Sequence, residues 1–345
     1  MKLMILFLCI SVFPISASAL EIEAPPVPTD HYDWMPENTE SLSEGIQEIL
    51  IKSINAIRPD IREASRISMG MISAVLLVSM VQTISPQAKR SSEMMGSVTI
   101  AAILLTDTNA MIHLAIDTIQ GISDYGKLLL PVMTTALAAQ GGITASGAIY
   151  AGTAFFISVL QSALDAFLVP GIYLYLALST GCAATGEDLM RRTGDLLKQF
   201  LVWCLKTILI VFTTYLSLTH VISGTTDAAA LKAAKVSMSS FIPVVGSILS
   251  DTSEAVLVSA GMMKNAAGIY GILAVLALFL HPFLEIGLHY LILKVTGAVC
   301  SIFGTSRICA VIDSFSSSMG LLLGMTGAEC IMVLISTVCF MKGVG

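Results

Sequence analysis

Three ionisable residues stand four positions apart within one long apolar run of the chain. On a helix, His281, Glu285 and His289 would share one face, because residues four apart are neighbours on an α-helix. Ionisable groups inside a membrane are costly, so they usually pair or line a polar cavity. The pattern indicates a proton relay, an ion site or a structural polar face. A metal site has the least support, because two imidazoles and one carboxylate on one helix cannot alone surround an ion.

A fourth ionisable residue, Asp107, lies near the middle of the apolar run 94–116, between Thr106 and Thr108. One interpretation is a span with a polar centre, whose carboxylate belongs to an ion or substrate pathway. The other is a broken or re-entrant helix, in which Asp107 caps a helix end. The sequence leaves both interpretations open.

The elements that must position these side chains are membrane-spanning helices. Hydrophobic residues make up 55% of the 345-residue chain and charged residues 12%, whereas about a quarter of a soluble domain is charged. Several runs reach the roughly 20 residues that cross a hydrocarbon core, and period-two alternation is too weak for a barrel. The predicted fold class is all-α, a polytopic transmembrane helical bundle of about six to eight spans.

The chain divides into three predicted parts. Residues 1–19 are typical of a signal peptide, with a basic start, a short apolar core and an A-x-A cleavage site. Residues 20–66 form an acidic extracytoplasmic segment, which carries the excess of acids behind the formal net charge of −6. Residues 67–345 form the polytopic transmembrane domain.

The acidic segment contains a predicted amphipathic helix. Ser41 and Glu44 fit a capping box, and Pro59 should bend or interrupt the helix. Six apolar residues recur every three or four positions and would share one face: Leu42, Ile46, Leu50, Ile54, Ile57 and Ile61. That face either docks on a partner or the membrane surface, or packs back on its own domain.

Basic residues indicate the orientation of the chain in a bilayer. Lys89 and Arg90 follow the first predicted span, and Arg191, Arg192 and Lys198 stand together between later spans. The positive-inside rule places both groups in the cytosol. No basic patch typical of a nucleic-acid-binding protein is present, so we expect a lipid bilayer and no nucleic acid among the partners.

Residues 236–265 form an apolar segment that is interrupted by Pro243 and Gly246. This interruption favours a broken, partly buried or re-entrant structure within the transmembrane domain. Asp251 and Glu254 lie in the same segment, where Asp251 either caps the following helix or has a functional role.

The last apolar run contains a G-x-x-x-G motif formed by Gly320 and Gly324. Small residues at this spacing let two helices approach closely. The motif is consistent with a homo-oligomer or with helix packing inside one subunit.

Motifs of familiar enzymes are missing from the sequence. It has no zinc-protease motif, nucleophile elbow or Walker lysine motif, and its cysteine and histidine spacing does not suit zinc. We therefore expect a protein that is not an enzyme, with no cofactor and no bound metal.

The interrupted segment also carries a family resemblance. The run from Phe241 to Asp251, continuing through Glu254 to the stretch 261–268, resembles the stage III sporulation protein AE family. The resemblance implies a role in endospore formation within multiprotein machinery that joins mother cell and forespore. It implies a location in the mother-cell (outer forespore) membrane and other membrane subunits as partners. It supplies no catalytic motif.

These observations predict a membrane subunit of a sporulation transenvelope complex that forms or gates a transport path. Broken helices at membrane depth and the polar face on the long run would line that path. The alternative is a non-conducting scaffold that assembles the complex through the acidic segment and small-residue helix faces. An intramembrane enzyme is the third hypothesis.

Overall fold

The structure is a computed structural model, and within the part of the chain that it describes the fold consists of helices without any strand. The described residues are 24–27, 33–37, 39, 41–85, 87, 89–185, 188–241, 246–303 and 306–342, with side chains described except at 188 and 220–260. The predicted all-α fold class is confirmed. The helices are α1 (Leu42–Ala56), α2 (Arg58–Ile84), α3 (Lys89–Ala139), α4 (Ile143–Ala163), α5 (Val169–Thr185), α6 (Asp188–Phe241), α7 (Gly246–Phe303) and α8 (Ser306–Lys342).

Six stretches of the described residues are long and apolar enough to cross a membrane, which is the lower end of the predicted range. They are Arg58–Ile84, Lys89–Ala139, Ile143–Thr185, Leu189–Thr219, Gly261–Phe303 and Ser306–Lys342. The uncharged run 128–164 is divided between two of these spans. It contains the end of α3, a tight turn and all of α4.

The turn between α3 and α4 depends on Gly141. Its φ is 93°, a backbone conformation that side chains with a Cβ rarely adopt. The Gly141 amide donates to the Ala138 carbonyl at 2.9 Å, and the Gly142 amide donates to the Leu137 carbonyl at 3.1 Å. These paired bonds satisfy the last carbonyls of α3 and end the helix as a Schellman motif.

Helices α4 and α5 form one continuous span through a π-helical turn, Leu164–Leu168. Asp165 lies inside this turn. A π turn accommodates an additional residue without breaking the helix, and such turns are frequent at functional sites. The extra width therefore changes the direction of side chains between α4 and α5 without interrupting the span.

Several helices are longer than a bilayer requires. Helix α3 has 51 residues and α7 has 58, so they extend about 76 Å and 87 Å. The hydrocarbon core is only about 30 Å thick. Helix α8 packs against α3, α4, α5, α6 and α7, and it therefore forms the centre of the bundle.

Basic side chains gather at one end of the bundle. Arg307, at the start of α8, lies 3.8 Å from Glu93 near the start of α3. Arg191 and Lys198 of α6 line the same pocket as Arg307. By the positive-inside rule, this end is predicted to face the cytosol, and the opposite end to lie outside it.

Helix α1 packs back on α7, which was one of the two alternatives for the amphipathic helix. Its buried residues are Gly45, Ile49 and Ser53, and a Cβ at Gly45 would overlap the side chain of Leu273. The predicted face is confirmed only in part, because Leu42 and Ile46 pack against the core whereas Leu50 and Ile54 are exposed. The small residues at the contact let α1 approach α7 more closely than large apolar side chains would.

The ends of α1 agree only partly with prediction. Ser41 occupies the N-cap, but its side chain makes no capping hydrogen bond to a described residue, so the Ser41 half of the predicted capping box was wrong. The interruption at Pro59 is present, because α1 ends at Ala56 and Pro59 lies in the first turn of α2. Helix α2 then crosses the expected domain boundary at residue 67 without a break.

Candidate functional site

The polar stripe on α7, formed by His281, Glu285 and His289, faces a carboxylate on α3. The Nε2 atom of His289 lies 3.3 Å from Oδ1 of Asp107, and the Nδ1 atom of His289 lies 3.0 Å from the Glu285 carbonyl oxygen. Both partners are acceptors when Asp107 is ionised, so the imidazole must then carry protons on both nitrogens. If the imidazole is neutral, the proton between Nε2 and Oδ1 belongs to Asp107. The arrangement therefore holds one exchangeable proton between two helices.

Helix α3 is continuous through Asp107. The broken or re-entrant helix and the capping role of Asp107 were therefore wrong, and the run is a span with a polar centre. Asn109, two residues further on, accepts a hydrogen bond from the Tyr173 hydroxyl of α5 at 2.9 Å. Backbone hydrogen bonds stay inside the helix, so polar side chains with partners on neighbouring helices do not interrupt it.

The outer part of the stripe meets a residue that the sequence analysis did not select. His281 Nε2 lies 3.9 Å from Glu285 Oε2, and Asp60 of α2 brings a carboxylate oxygen to the same place. One ligand atom from each of these three side chains lies within 4.8 Å of the other two. The indole of Trp34 stacks on the His281 ring at 4.4 Å, with the planes 15° apart.

We call Asp60, Asp107, His281, Glu285 and His289 the α7 polar cluster. Its side chains become less accessible along α7. His281 and Glu285 are 23% and 21% exposed, whereas His289 and Asp107 are 7% and 11% exposed. The α7 polar cluster thus opens at the surface of a single copy near His281 and is closed near His289.

The charges of the α7 polar cluster are not balanced by basic residues. It contains three carboxylates and two imidazoles, and no lysine or arginine in the described ranges forms an ion pair with them. Carboxylates with little water need protons, imidazolium ions or cations as partners. The cluster can therefore bind and exchange protons or small cations.

A buried carboxyl group on α8 lies apart from the α7 polar cluster. Glu329 is 1% exposed, and its Oε1 atom has no hydrogen-bond partner among the described residues. The sequence places Glu329 in the last span but gives no sign of its burial, which follows from the central position of α8.

Gly320 and Gly324 provide helix contacts inside the subunit. A Cβ at Gly320 would lie 3.5 Å from the Tyr290 ring, and one at Gly324 would lie 3.2 Å from Leu205. Both glycines therefore face other helices of the same subunit, Gly320 facing α7 and Gly324 facing α6, while the homo-oligomer stays a prediction.

The interrupted segment 236–265 is described only in part. Helix α6 ends at Phe241 and α7 begins at Gly246, while Pro243 lies outside the described residues. Asp251 and Glu254 belong to α7, but their side chains lie outside the described residues.

The described end of the family-like run, with Gly271 just beyond it, is a packing surface. A Cβ at Gly271 would lie 2.6 Å from Leu129 of α3, and one at Gly268 would overlap Met341 of α8. Glycines at these positions let α7 approach α3 and α8 closely. The close approach fixes the position of the stripe on α7 relative to Asp107 on α3.

Comparisons with known proteins agree with these features. The family model described as stage III sporulation protein AE matches residues 35–343. A curated relative, Stage III sporulation protein AE of Bacillus subtilis (strain 168), is 23% identical over 217 residues, which cover 63% of this chain and 54% of the relative. The chain thus aligns with about half the length of that relative, and no solved structure matches it significantly. This helical membrane protein therefore belongs to the stage III sporulation protein AE family.

Proposed function

We propose that the chain is a membrane subunit of the sporulation transenvelope complex that links mother cell and forespore, and that it forms or gates a transport path needed for forespore development. It would reside in the mother-cell (outer forespore) membrane with other membrane subunits as partners. The observation that supports transport is the α7 polar cluster, in which ionisable side chains of α2, α3 and α7 meet between apolar helices.

The depth and order of the α7 polar cluster support a path along α7. His281 and His289 are eight residues apart, which corresponds to about 12 Å along the helix axis. The side chains proceed from partly exposed His281 to nearly buried His289, where Asp107 completes a proton-sharing pair. A proton or cation entering at His281 would therefore meet a series of partners across part of the bilayer.

The packing of α8 favours a path at the edge of the bundle. Helix α8 contacts five other helices, and its inner residues, such as Phe315 and Met319, are fully buried. The exposed side of the α7 polar cluster instead faces outward at His281 and Glu285. A second copy or another membrane subunit on this side would close the path. The proposal includes no catalytic step and no cofactor.

Neutral substitutions in the α7 polar cluster test this proposal. Asp107→Asn and Glu285→Gln should block forespore development in the spore-forming host while the protein level stays normal. Asp165→Asn is the matched control, because Asp165 is an exposed acid in another apolar span. In proteoliposomes, the purified complex should lose proton or cation flux with the first two variants only. Normal sporulation and flux in both variants would rule out conduction through these groups.

An exposed apolar surface on α1 supports the alternative of a non-conducting scaffold. Leu50, Ile51 and Ile54 are 37%, 61% and 54% exposed on a helix that precedes the first span. Contiguous exposed apolar residues on an extramembrane helix are typical of a docking site.

The scaffold alternative predicts a different set of sensitive residues. Replacing Leu50, Ile51 and Ile54 with serine should then abolish recovery of the other subunits in detergent pull-downs. The double variant Gln47→Ser and Asn55→Ser changes exposed polar residues of the same helix and should leave recovery intact. Under this alternative, Asp107→Asn and Glu285→Gln would sporulate normally.

A further inference from the structure

We propose that Asp60, His281 and Glu285 bind a divalent transition-metal ion such as Zn²⁺ or Mn²⁺ where the start of α2 meets α7. This site goes beyond a transport role, because a bound metal would join two helices whether or not the protein conducts. The ligand set is one imidazole nitrogen and two carboxylate oxygens, all within 4.8 Å of one another.

The geometry is close to that of an occupied site. Zinc ligands lie about 2.1 Å from the ion, so two ligand atoms at a tetrahedral angle are about 3.4 Å apart. His281 Nε2 and Glu285 Oε2 are 3.9 Å apart, and the third ligand is at most 4.8 Å from either. The required contraction, at most about 1.4 Å, lies within reach of side-chain torsions, because the glutamate side chain has several rotatable bonds.

Asp60 removes the objection that applies to ligands on a single helix. His281 and Glu285 approach an ion from α7 only, whereas Asp60 approaches it from α2. Three protein ligands leave a fourth position for water, as in many zinc sites. The break between α1 and α2 places Asp60 in the first turn of α2, which begins at Arg58.

Two contacts hold the site in position. Trp34 stacks on the His281 ring, which restricts rotation of the imidazole. Ser68 and Thr296 join their hydroxyls between α2 and α7 further along the helices. Contacts that hold the ligand side chains and their helices in place limit how far the ligands must move when a metal binds.

The charge at this position favours a cation. Asp60 and Glu285 face each other, and Glu63 and Asp107 add negative charge near Glu285. No lysine or arginine in the described part of the chain pairs with any of these carboxylates. A nitrogen ligand favours a transition metal over Mg²⁺ or Ca²⁺, which prefer all-oxygen sites.

Trp34 provides a direct reporter for the site. The chain has two tryptophans, Trp34 and Trp203, so Trp203→Phe leaves Trp34 as the sole indole. The full chain, purified without a histidine tag and placed in nanodiscs, would be titrated with Ni²⁺ or Co²⁺. We expect saturable quenching of Trp34 fluorescence, because the indole stacks on a ligand of the metal. Zn²⁺, which does not quench, should reverse it by competition.

Ligand variants determine whether the quenching comes from this site. Asp60→Asn and Glu285→Gln should each weaken Ni²⁺ binding by more than about tenfold. Glu63→Gln is the matched control, because it removes a nearby exposed carboxylate that is outside the ligand set. Quenching that is not saturable, or equal in the ligand variants and in Glu63→Gln, would overturn the site.

A second measurement does not depend on the folding of any variant in the ligand set. In the Trp203→Phe protein, bound Co²⁺ should produce a visible absorption band that Zn²⁺ abolishes. Lack of that band at saturating Co²⁺ would also overturn the proposal. Because these measurements detect binding alone, their failure would leave the transport assay unaffected, and a failed transport assay would leave the metal site intact.

Discussion

The imidazole of His289 meets the carboxylate of Asp107 across the contact between α3 and α7, with Nε2 and Oδ1 3.3 Å apart. The Glu285 carbonyl oxygen, 3.0 Å from Nδ1, fixes the other side of the ring. The pair is nearly inaccessible to water, so each group depends on the other for a partner.

The first prediction concerns the stability of this pair. Asp107→Ala leaves Nε2 of His289 without its partner, and we expect a loss of about 1–3 kcal/mol in the free energy of unfolding. Asp107→Asn retains a hydrogen-bonding group and should lose less. The measurement is unfolding in mild detergent by SDS titration, with the exposed Asp165→Ala as control. Equal free energies of unfolding for Asp107→Ala and the wild type would show that the pair contributes nothing to stability.

The second prediction concerns the contact between α4 and α6. A Cβ at Gly152 would overlap the ring of Tyr215, whose hydroxyl donates to the Ala148 carbonyl at 3.0 Å and holds the ring in place. Gly152→Ala should therefore cost about 1–3 kcal/mol of stability. Gly147→Ala on the same helix should not, because its Cβ would meet no described atom within 4 Å.

A second-site variant checks the cause of that loss. Replacing Tyr215 with leucine removes the ring atoms that Gly152→Ala would contact. The double variant should regain part of the stability relative to the sum of the two single losses. Simple additivity of the two changes would mean that the ring is not the obstacle.

The third prediction concerns the orientation of the bundle in the membrane. The test uses growing cells that express the protein and are converted to protoplasts. In a background without the native cysteines, Lys89→Cys and Arg191→Cys should react with an impermeant maleimide only after permeabilisation, because their end of the bundle is predicted to be cytosolic. Leu50→Cys and Lys342→Cys should react in intact protoplasts. Thr153→Cys, at a fully buried position, should react in neither. Reaction of Lys89→Cys in intact protoplasts would reverse the assigned orientation.

The fourth prediction concerns acid sensitivity in the segment before the first span. The Lys52 side chain bonds to Glu48, and the Glu37 amide donates to the same carboxylate, so together they lower the pKa of Glu48. A lowered pKa stabilises the segment above the unfolded carboxyl pKa of about 4.3, and the stabilisation is lost as the pH falls through the folded pKa.

Hydrogen exchange of the peptide that contains Glu37 measures this effect. Near neutral pH, the wild type should be more protected than Glu48→Gln, because only the charged carboxylate accepts strongly from the Glu37 amide. The two proteins should converge in acid, when Glu48 is protonated. Comparing both at each pH cancels the intrinsic exchange rate. A difference that persists in acid would assign the protection to another contact.

The sequence was sufficient to predict the polar stripe on α7, because residues four apart share a face of any helix, whatever packs against it. It also located Asp107, but it could not decide whether the polar run interrupts the helix. That question depends on partners far away in the chain, His289 for Asp107 and Tyr173 for Asn109. Local patterns carry no information about such pairs.

Asp60 and the buried face of α1 show a second limit. Asp60 was one acid among many in an acidic segment, and only the packing of α2 on α7 brings it to His281. On α1, the spacing of apolar residues predicted a face that included Leu50 and Ile54, but both are exposed, and the buried positions are Gly45, Ile49 and Ser53. Close helix contacts select small side chains, which hydrophobic periodicity does not register.

The π turn at Leu164–Leu168 makes the span containing Asp165 sensitive to length. Deleting one residue there would restore regular α-helical bonding, but it would rotate all of α5 by about 100° relative to α4. Ile172, Tyr175 and Leu176, now directed into the core, would then turn toward lipid. Substitutions within this turn are therefore a matter of local fit, whereas a single-codon deletion would misalign half of the span.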